Sequence, residues 1–396
     1  MIQQYGQAGP RGKRRGRKSG GRRARDLPLS CRAPRPAKYR IKGTAGIATK
    51  GKEYAMRKFV LLAAALTALG MPGAGARAQD VTLKVHHFLP PGAPAQKDFI
   101  QPWTERVTKA SGGKIKFQIY PSMQLGGGPP GLFDQARDGV ADIVWTLPSY
   151  TAGRFPLVEV FELPFMTRSA SATAPAVQEF AEKHLKDEFK EVQPLVFHSH
   201  APGLFHVKAK PIIYFSDLQG LKIRAPTRTI NDALKALGAS PVGMPVPQLP
   251  QALSTGVVDG AVIPFEVAAA LKIQELVKFH TVVPNFYTSV FIFAMNKKKY
   301  DDLPADLKKV MDANTGLGLA KELGRTWDNA EKPGVEAAQK AGNRFNTMDG
   351  SELARAEAAV QPVYDNWLKA AAAKGADGKK LLDEAKALIA KYGKTS

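Results

Sequence analysis

Apolar and polar residues alternate through "VTLKVHHFL" (81–89), and its β-branched residues suit a pleated, half-buried strand. The period then changes. "PAQKDFIQPWTERVTKAS" reads as a helix closed by Gly112 and Gly113, and "KIKFQIY" (114–120) as a second strand. After the connector "PSMQLGGGPPG", a helix around "LFDQARDGV" leads to a third strand, "ADIVWTL" (141–147). A helical stretch, "PAVQEFAEKHLKDEFKEV" (175–192), then runs into the strand "PLVFHSH".

The pattern repeats further along. "LKIRA", "SPVGM" and "VDGAVI" read as strands, separated by the helices "TINDALKALG" and "QLPQALSTG". Two β-α-β-α-β runs in one chain predict an α/β fold with parallel or mixed sheets flanked by helices, arranged as two facing lobes. "SVFIFAMN" (289–296) is a further apolar strand. It precedes a long Ala- and Lys-rich helical region interrupted near Pro333, and residues 351–393 are helical again. In "VEVFELPF" (158–165), the apolar residues read as extended, and Pro156 and Pro164 argue against a helix.

Charge changes the reading of the first residues. The 396-residue chain has a formal net charge of +22, but residues 1–55 hold 16 Lys+Arg against only Asp26 and Glu53. That stretch is rich in Gly and Pro and lacks apolar periodicity, so it is expected to be disordered. Met56-Arg57-Lys58, the apolar run "FVLLAAALTALGM" (59–71) and Ala76-x-Ala78 then form a signal peptide over 56–78, with cleavage before Gln79. Translation from Met56 accounts for this order most simply, leaving 1–55 as a mis-called extension. The rival is a basic tail for nucleic acid or anionic lipid. The remainder, 79–396, carries 38 Lys+Arg against 33 Asp+Glu, a net of +5. The only cysteine, Cys31, lies in the leader, so the exported chain has no disulfide, thiol nucleophile or thiolate metal site.

Catalytic signatures are weak. "LGGGPPG" (125–131) lacks the Lys and Ser/Thr of a phosphate loop, and no nucleophile elbow, zinc helix or dinucleotide fingerprint occurs. His86-His87 and the pair His198 and His200 have no third metal ligand at a recognisable spacing. What stands out is a set of polar and aromatic residues at predicted strand ends: His87, Phe88, Trp145, Tyr150, His206, Arg224, Phe265 and Glu266. Arg224 closes the strand in "GLKIRAP", just before Pro226, at the carboxyl end where open α/β sheets place ligand crevices. Together these residues outline a cleft with few charges, in which one cation dominates the potential.

Over "DLQGLKIRAPTRTINDALKALGASPVGMPVPQLPQALSTGVVDGAVIP" (217–264) the sequence resembles the solute-binding proteins of tripartite ATP-independent periplasmic (TRAP) transporters, the DctP-type family. "YPSMQLGG", "GVADIVW", "FELPF" and "FIFAMNKKKYDDLPADLKKVM" resemble its flanking segments, so the likeness spans nearly all of 80–396. It implies a two-lobed flytrap with a long connecting helix: 79–202 plus 290–330 as lobe I, 203–289 plus 331–396 as lobe II. It also implies a periplasmic receptor, not an enzyme. Such a receptor needs no cofactor and delivers an organic acid to the small and large permease subunits, with Arg224 pairing with the ligand's carboxylate. A periplasmic enzyme on a carboxylate substrate, or a ligand-binding partner of a sensor, are the alternatives. Ile263 stands where the best-known members have Asn, and the place of a second basic ligand residue falls to His206 or Lys208. Both departures favour a monocarboxylate with an apolar or aromatic body.

Overall fold

Alternation at 81–89 becomes β1 (Val81–His87), and the parallel neighbours it needs are β2 (Ile115–Tyr120) and β3 (Ile143–Thr146). The computed structural model describes residues 80–348 and 350–394, so the leader and signal-peptide readings lie outside the described residues. β4 (Val192–Ser199) and β10 (Val290–Asn296) complete a five-stranded sheet in the order β2-β1-β3-β10-β4, with β10 antiparallel to both its neighbours.

The second sheet has the order β11-β9-β5-β8-β6-β7. Its parallel centre is β6 (Lys222–Ala225), β7 (Ser240–Gly243) and β8 (Gly260–Ile263), to which β5 (Leu204–Val207) pairs antiparallel. β9 (Phe279–Val282) and β11 (Arg344–Thr347) extend it beyond β5. Both sheets are therefore mixed and flanked by helices. Two connections between the sheets run side by side, joined where Gly203 N–H donates to the Tyr287 carbonyl at 2.9 Å. A Cβ on Gly203 would overlap the Tyr287 ring, so this close approach requires glycine.

A helix at Gly316–Lys340 ties the two halves together. It continues through Pro333, whereas the sequence reading interrupts it there. Packing outweighs the lost hydrogen bond. Leu323 and Trp327 are buried, and Gly324 and Gly334 bring the helix backbone against Ala170 and Phe265. Two of its carboxylates also cap other helices. Asp328 accepts from the Ala170 and Ser171 N–H groups at the start of Ala170–His184, and Glu331 from Phe265 and Glu266 at the start of Phe265–Ala270.

Other expectations shift at their edges. The helix read over 175–192 runs from Ala170 to His184, because Ser169 caps it by accepting from Ala172 N–H. Residues Val158–Glu162 form a short 3-10 helix, not an extended segment. The Glu188 carboxylate fixes its entrance by accepting from Leu157 N–H at 2.9 Å. The last helix, Gly378–Gly393, returns to Ala170–His184, where Glu179 accepts from Tyr392 Oη and pairs with Lys391. No helix among the described residues is long and apolar enough to cross a membrane.

Candidate functional site

Arg224 sits at the third position of β6, in register with Val242 of β7 and Ala261 of β8, and its side chain is only 1% exposed. Nε and Nη2 both donate to the Met244 carbonyl, at 3.0 and 2.8 Å, and Nη1 donates to the Val262 carbonyl at 3.4 Å. A guanidinium has five N–H groups, so one on each Nη is left without a carbonyl partner. The Tyr150 hydroxyl also hydrogen-bonds the guanidinium, whose planar array of donors is of the kind that matches a carboxylate. No acidic side chain among the described residues forms an ion pair with it. Burial lowers the Arg224 pKa, and the neighbouring hydroxyls of Tyr150 and Tyr287 oppose that effect.

These groups face a narrow cavity. The first sheet contributes Phe88, Leu89, Trp145 and Leu147 from the ends of β1 and β3, followed by Tyr150, and Phe291 from β10. The second contributes Arg224, Ile263 and Glu266, and the connecting segments supply His200, Tyr287 and Ser289. Trp145 stacks on Phe291 at 4.5 Å with 5° between the planes, and on Phe88 at 5.0 Å and 21°. Its indole N–H donates to His198 Nε2 at 2.9 Å, which fixes the ring's orientation. Tyr150 is pinned by accepting from Val246 N–H at 3.2 Å.

The other polar groups on the wall are uncharged. His200 accepts from Ser289 N–H on Nε2, so Nδ1–H donates to the Ala201 carbonyl. Burial pushes its pKa down to about 4, so the ring is neutral with both nitrogens occupied. The Glu266 carboxyl is buried, and burial followed by the neighbouring Glu331 raises its pKa well above the ordinary range. Burial likewise raises the phenols of Tyr150 and Tyr287. One cation, Arg224, therefore dominates an otherwise neutral, aromatic-walled space. Among the described residues, no group of three or more His, Cys, Asp or Glu is placed to hold a metal ion.

Of the eight residues singled out from the sequence, Phe88, Trp145, Tyr150, Arg224 and Glu266 line this cavity. His87, His206 and Phe265 do not. His87 lies behind the wall, bonded to Gln96 Oε1 at 3.0 Å and edge-on to Trp145. His206 closes a chain within the second sheet: its Nε2–H donates to the Ile263 carbonyl, and its Nδ1 accepts from His280, which in turn meets Asn343. Phe265 packs on His206, His280 and Phe345. Sequence reasoning left out Tyr287, Ser289 and Phe291. Their only local signal is an aromatic and hydroxyl run, "FYTSVF", entering an apolar strand.

The model for bacterial extracellular solute-binding protein, family 7 (DctP), matches residues 85–370. A TRAP solute-binding protein from Rhodoferax ferrireducens, solved with copurified benzoate, is 45% identical with a TM-score of 0.78, over 80% of this chain and 99% of that one. A marine metagenome TRAP solute-binding protein specific for aromatic acid ligands, solved with 3-hydroxybenzoate, is 48% identical with a TM-score of 0.78, over 79% and 99%. The C4-dicarboxylate-binding periplasmic protein of Rhodobacter capsulatus is 29% identical over 308 residues, 75% of this chain and 89% of that protein.

Proposed function

The chain belongs to the family-7 extracellular solute-binding proteins, the receptors of TRAP transporters, and from that premise we propose that its ligand is an aromatic monocarboxylate. The observation that carries the reading is the buried Arg224 guanidinium, which meets backbone carbonyls and the Tyr150 hydroxyl but no acid among the described residues. A buried charge is costly unless paired, so the site is built for a group that brings the counter-charge. Phe88, Trp145, Tyr150, Tyr287 and Phe291 give the body of the ligand aromatic walls. Among the described residues no second cation lines the space, which disfavours dicarboxylates, and Ile263 and Val267 disfavour a heavily hydroxylated sugar acid. The benzoate and 3-hydroxybenzoate held by the two solved relatives agree with this ligand class.

In this reading the signal peptide exports the chain to the periplasm, and the two lobes close over the acid. The closed form then delivers it to the small and large permease subunits. Closure excludes water and strengthens the Arg224–carboxylate pair, and an affinity near micromolar, about −8 kcal/mol, permits release. Ser289 and His200 do not form a nucleophile–base pair, since both His200 nitrogens are committed to the backbone. That favours a receptor over an enzyme. A thermal-shift screen of aryl monocarboxylates, aliphatic dicarboxylates and sugar acids tests the ligand class, because a ligand at 100 times its Kd adds about 2.7 kcal/mol of stability. Stabilisation by sugar acids or dicarboxylates but not by aryl acids would overturn it.

A further inference from the structure

Glu266 is the carboxyl on the cavity wall, and the fold fixes it closely. The Phe265 and Glu266 N–H groups both donate to the Glu331 carboxylate at 3.0 Å. Behind them the Gly334 backbone closes against the Phe265 carbonyl, leaving no room for the segment to shift. The Glu266 side chain is 6% exposed and forms no ion pair with a described Lys or Arg. Its polar neighbour is the Trp327 indole N–H, which is buried without a hydrogen-bond partner of ordinary geometry. Tyr287 lines the same cavity as Arg224 and Glu266.

We propose that Glu266 is the specificity-determining residue of this cavity and reads a hydroxyl carried on the ligand's ring away from its carboxylate. The inference rests on the aromatic-acid reading above and adds the substituent that the site selects. Burial and the neighbouring Glu331 favour the protonated Glu266 carboxyl, the form that offers one O–H donor and one carbonyl acceptor. A phenolic hydroxyl matches both roles. An unsubstituted ring leaves that buried pair unsatisfied beside Ile263, Pro264 and Val267, and a site that hydrogen-bonds a hydroxyl rejects the analogue without it. A second carboxylate would face Glu266 and Glu331 with no cation to balance it.

Calorimetry with benzoate, 3-hydroxybenzoate and 4-hydroxybenzoate on the wild-type chain, E266Q and E266M tests the proposal. The wild type should prefer at least one hydroxy acid over benzoate by about ten-fold or more, the size expected for one buried hydrogen-bonded group. E266Q keeps a donor and an acceptor and should retain a preference. E266M should reduce it to within roughly three-fold, and E266A gives the same readout if E266M does not fold. Equal affinities in the wild type, or an undiminished preference in E266M or E266A, overturn the role of Glu266 and leave the aromatic-acid reading standing. Failure of all three acids to bind overturns both.

Discussion

Arg224 and Arg228 lie four residues apart and live in different electrostatic worlds. Arg228 opens the helix Arg228–Ala236 with 45% of its side chain exposed, and it meets the buried Glu159 carboxylate at 2.9 Å. Burial raises the pKa of Glu159, and Arg228 is the main opposing influence. Arg224 is buried at the end of β6 and meets only carbonyls and phenols. The first arginine completes a structural pair supplied by the chain itself, while the second has no acidic partner among the described residues. Residue type and spacing are alike at the two positions. What differs is whether another segment delivers an acid, here the 3-10 helix Val158–Glu162.

The largest effect that separates the two regions is on binding. Arg224→Ala should weaken an aryl carboxylate by more than about 100-fold, in line with roughly 2–5 kcal/mol for one partner of a buried charge pair. Arg224→Lys should recover only part of that, because an ammonium cannot present the planar fork. The melting temperature of ligand-free Arg224→Met should not fall, since removing an uncompensated buried cation offsets the loss of its carbonyl bonds. Calorimetry and thermal unfolding read both. Affinity within a few-fold of wild type in Arg224→Ala would erase the distinction between the two arginines.

Next in size is the join between the sheets. Gly203→Ala places a methyl on the Tyr287 ring, so it should destabilise by about 1–3 kcal/mol, as overpacking does. It should also disturb the cavity wall to which Tyr287 belongs. Coupled losses in melting temperature and affinity are expected, and a variant that keeps both would show that this approach is not constrained.

Arg228→Ala should act in the opposite sense to Arg224→Ala. It leaves Glu159 buried with Thr229 as its remaining side-chain partner, costing about 1–3 kcal/mol of stability, while aryl-acid affinity stays within a few-fold. Parallel denaturant titrations and calorimetry check this pair of outcomes.

Much of this architecture is legible in the sequence, and the gaps have physical causes. Strands long enough to carry a pattern, such as the alternating β1 and β2 and the continuously apolar β10, show themselves in their residues. β5, β9 and β11 have four residues each and owe their existence to pairing partners distant in the chain. The passage of a helix through Pro333 depends on Gly324 and Gly334 meeting other backbones, which no local pattern records. Within the site, Arg224 and the aromatic strand ends could be found because both βαβ runs place carboxyl ends toward one crevice. Side-chain direction was less accessible. His206 and Phe265 belong to a cluster with His280 inside the second sheet, and Tyr287 enters the wall through a connection whose course only the fold reveals.

A smaller, pH-dependent effect sharpens the contrast between paired and unpaired buried charge. Glu162, at the end of the same 3-10 helix as Glu159, accepts from Val290 N–H at 2.9 Å but has no cation beside it, and burial pushes its pKa up from 4.5 to about 8. The folded chain therefore holds a proton there that the unfolded chain releases at lower pH. Its contribution to stability is complete below about 4.5 and is lost as pH rises toward 8. His198 and His200 act in the other direction: burial lowers them to about 3 and about 4, so their contribution is lost as pH falls below 6.5. Glu162→Gln keeps the acceptor for Val290 and removes the titration, so unfolding midpoints measured from pH 5 to 8 should fall less steeply than in the wild type. An unchanged slope would mean that Glu162 is already ionised in the folded chain, and that burial without a cation does not suffice here to hold a carboxyl neutral.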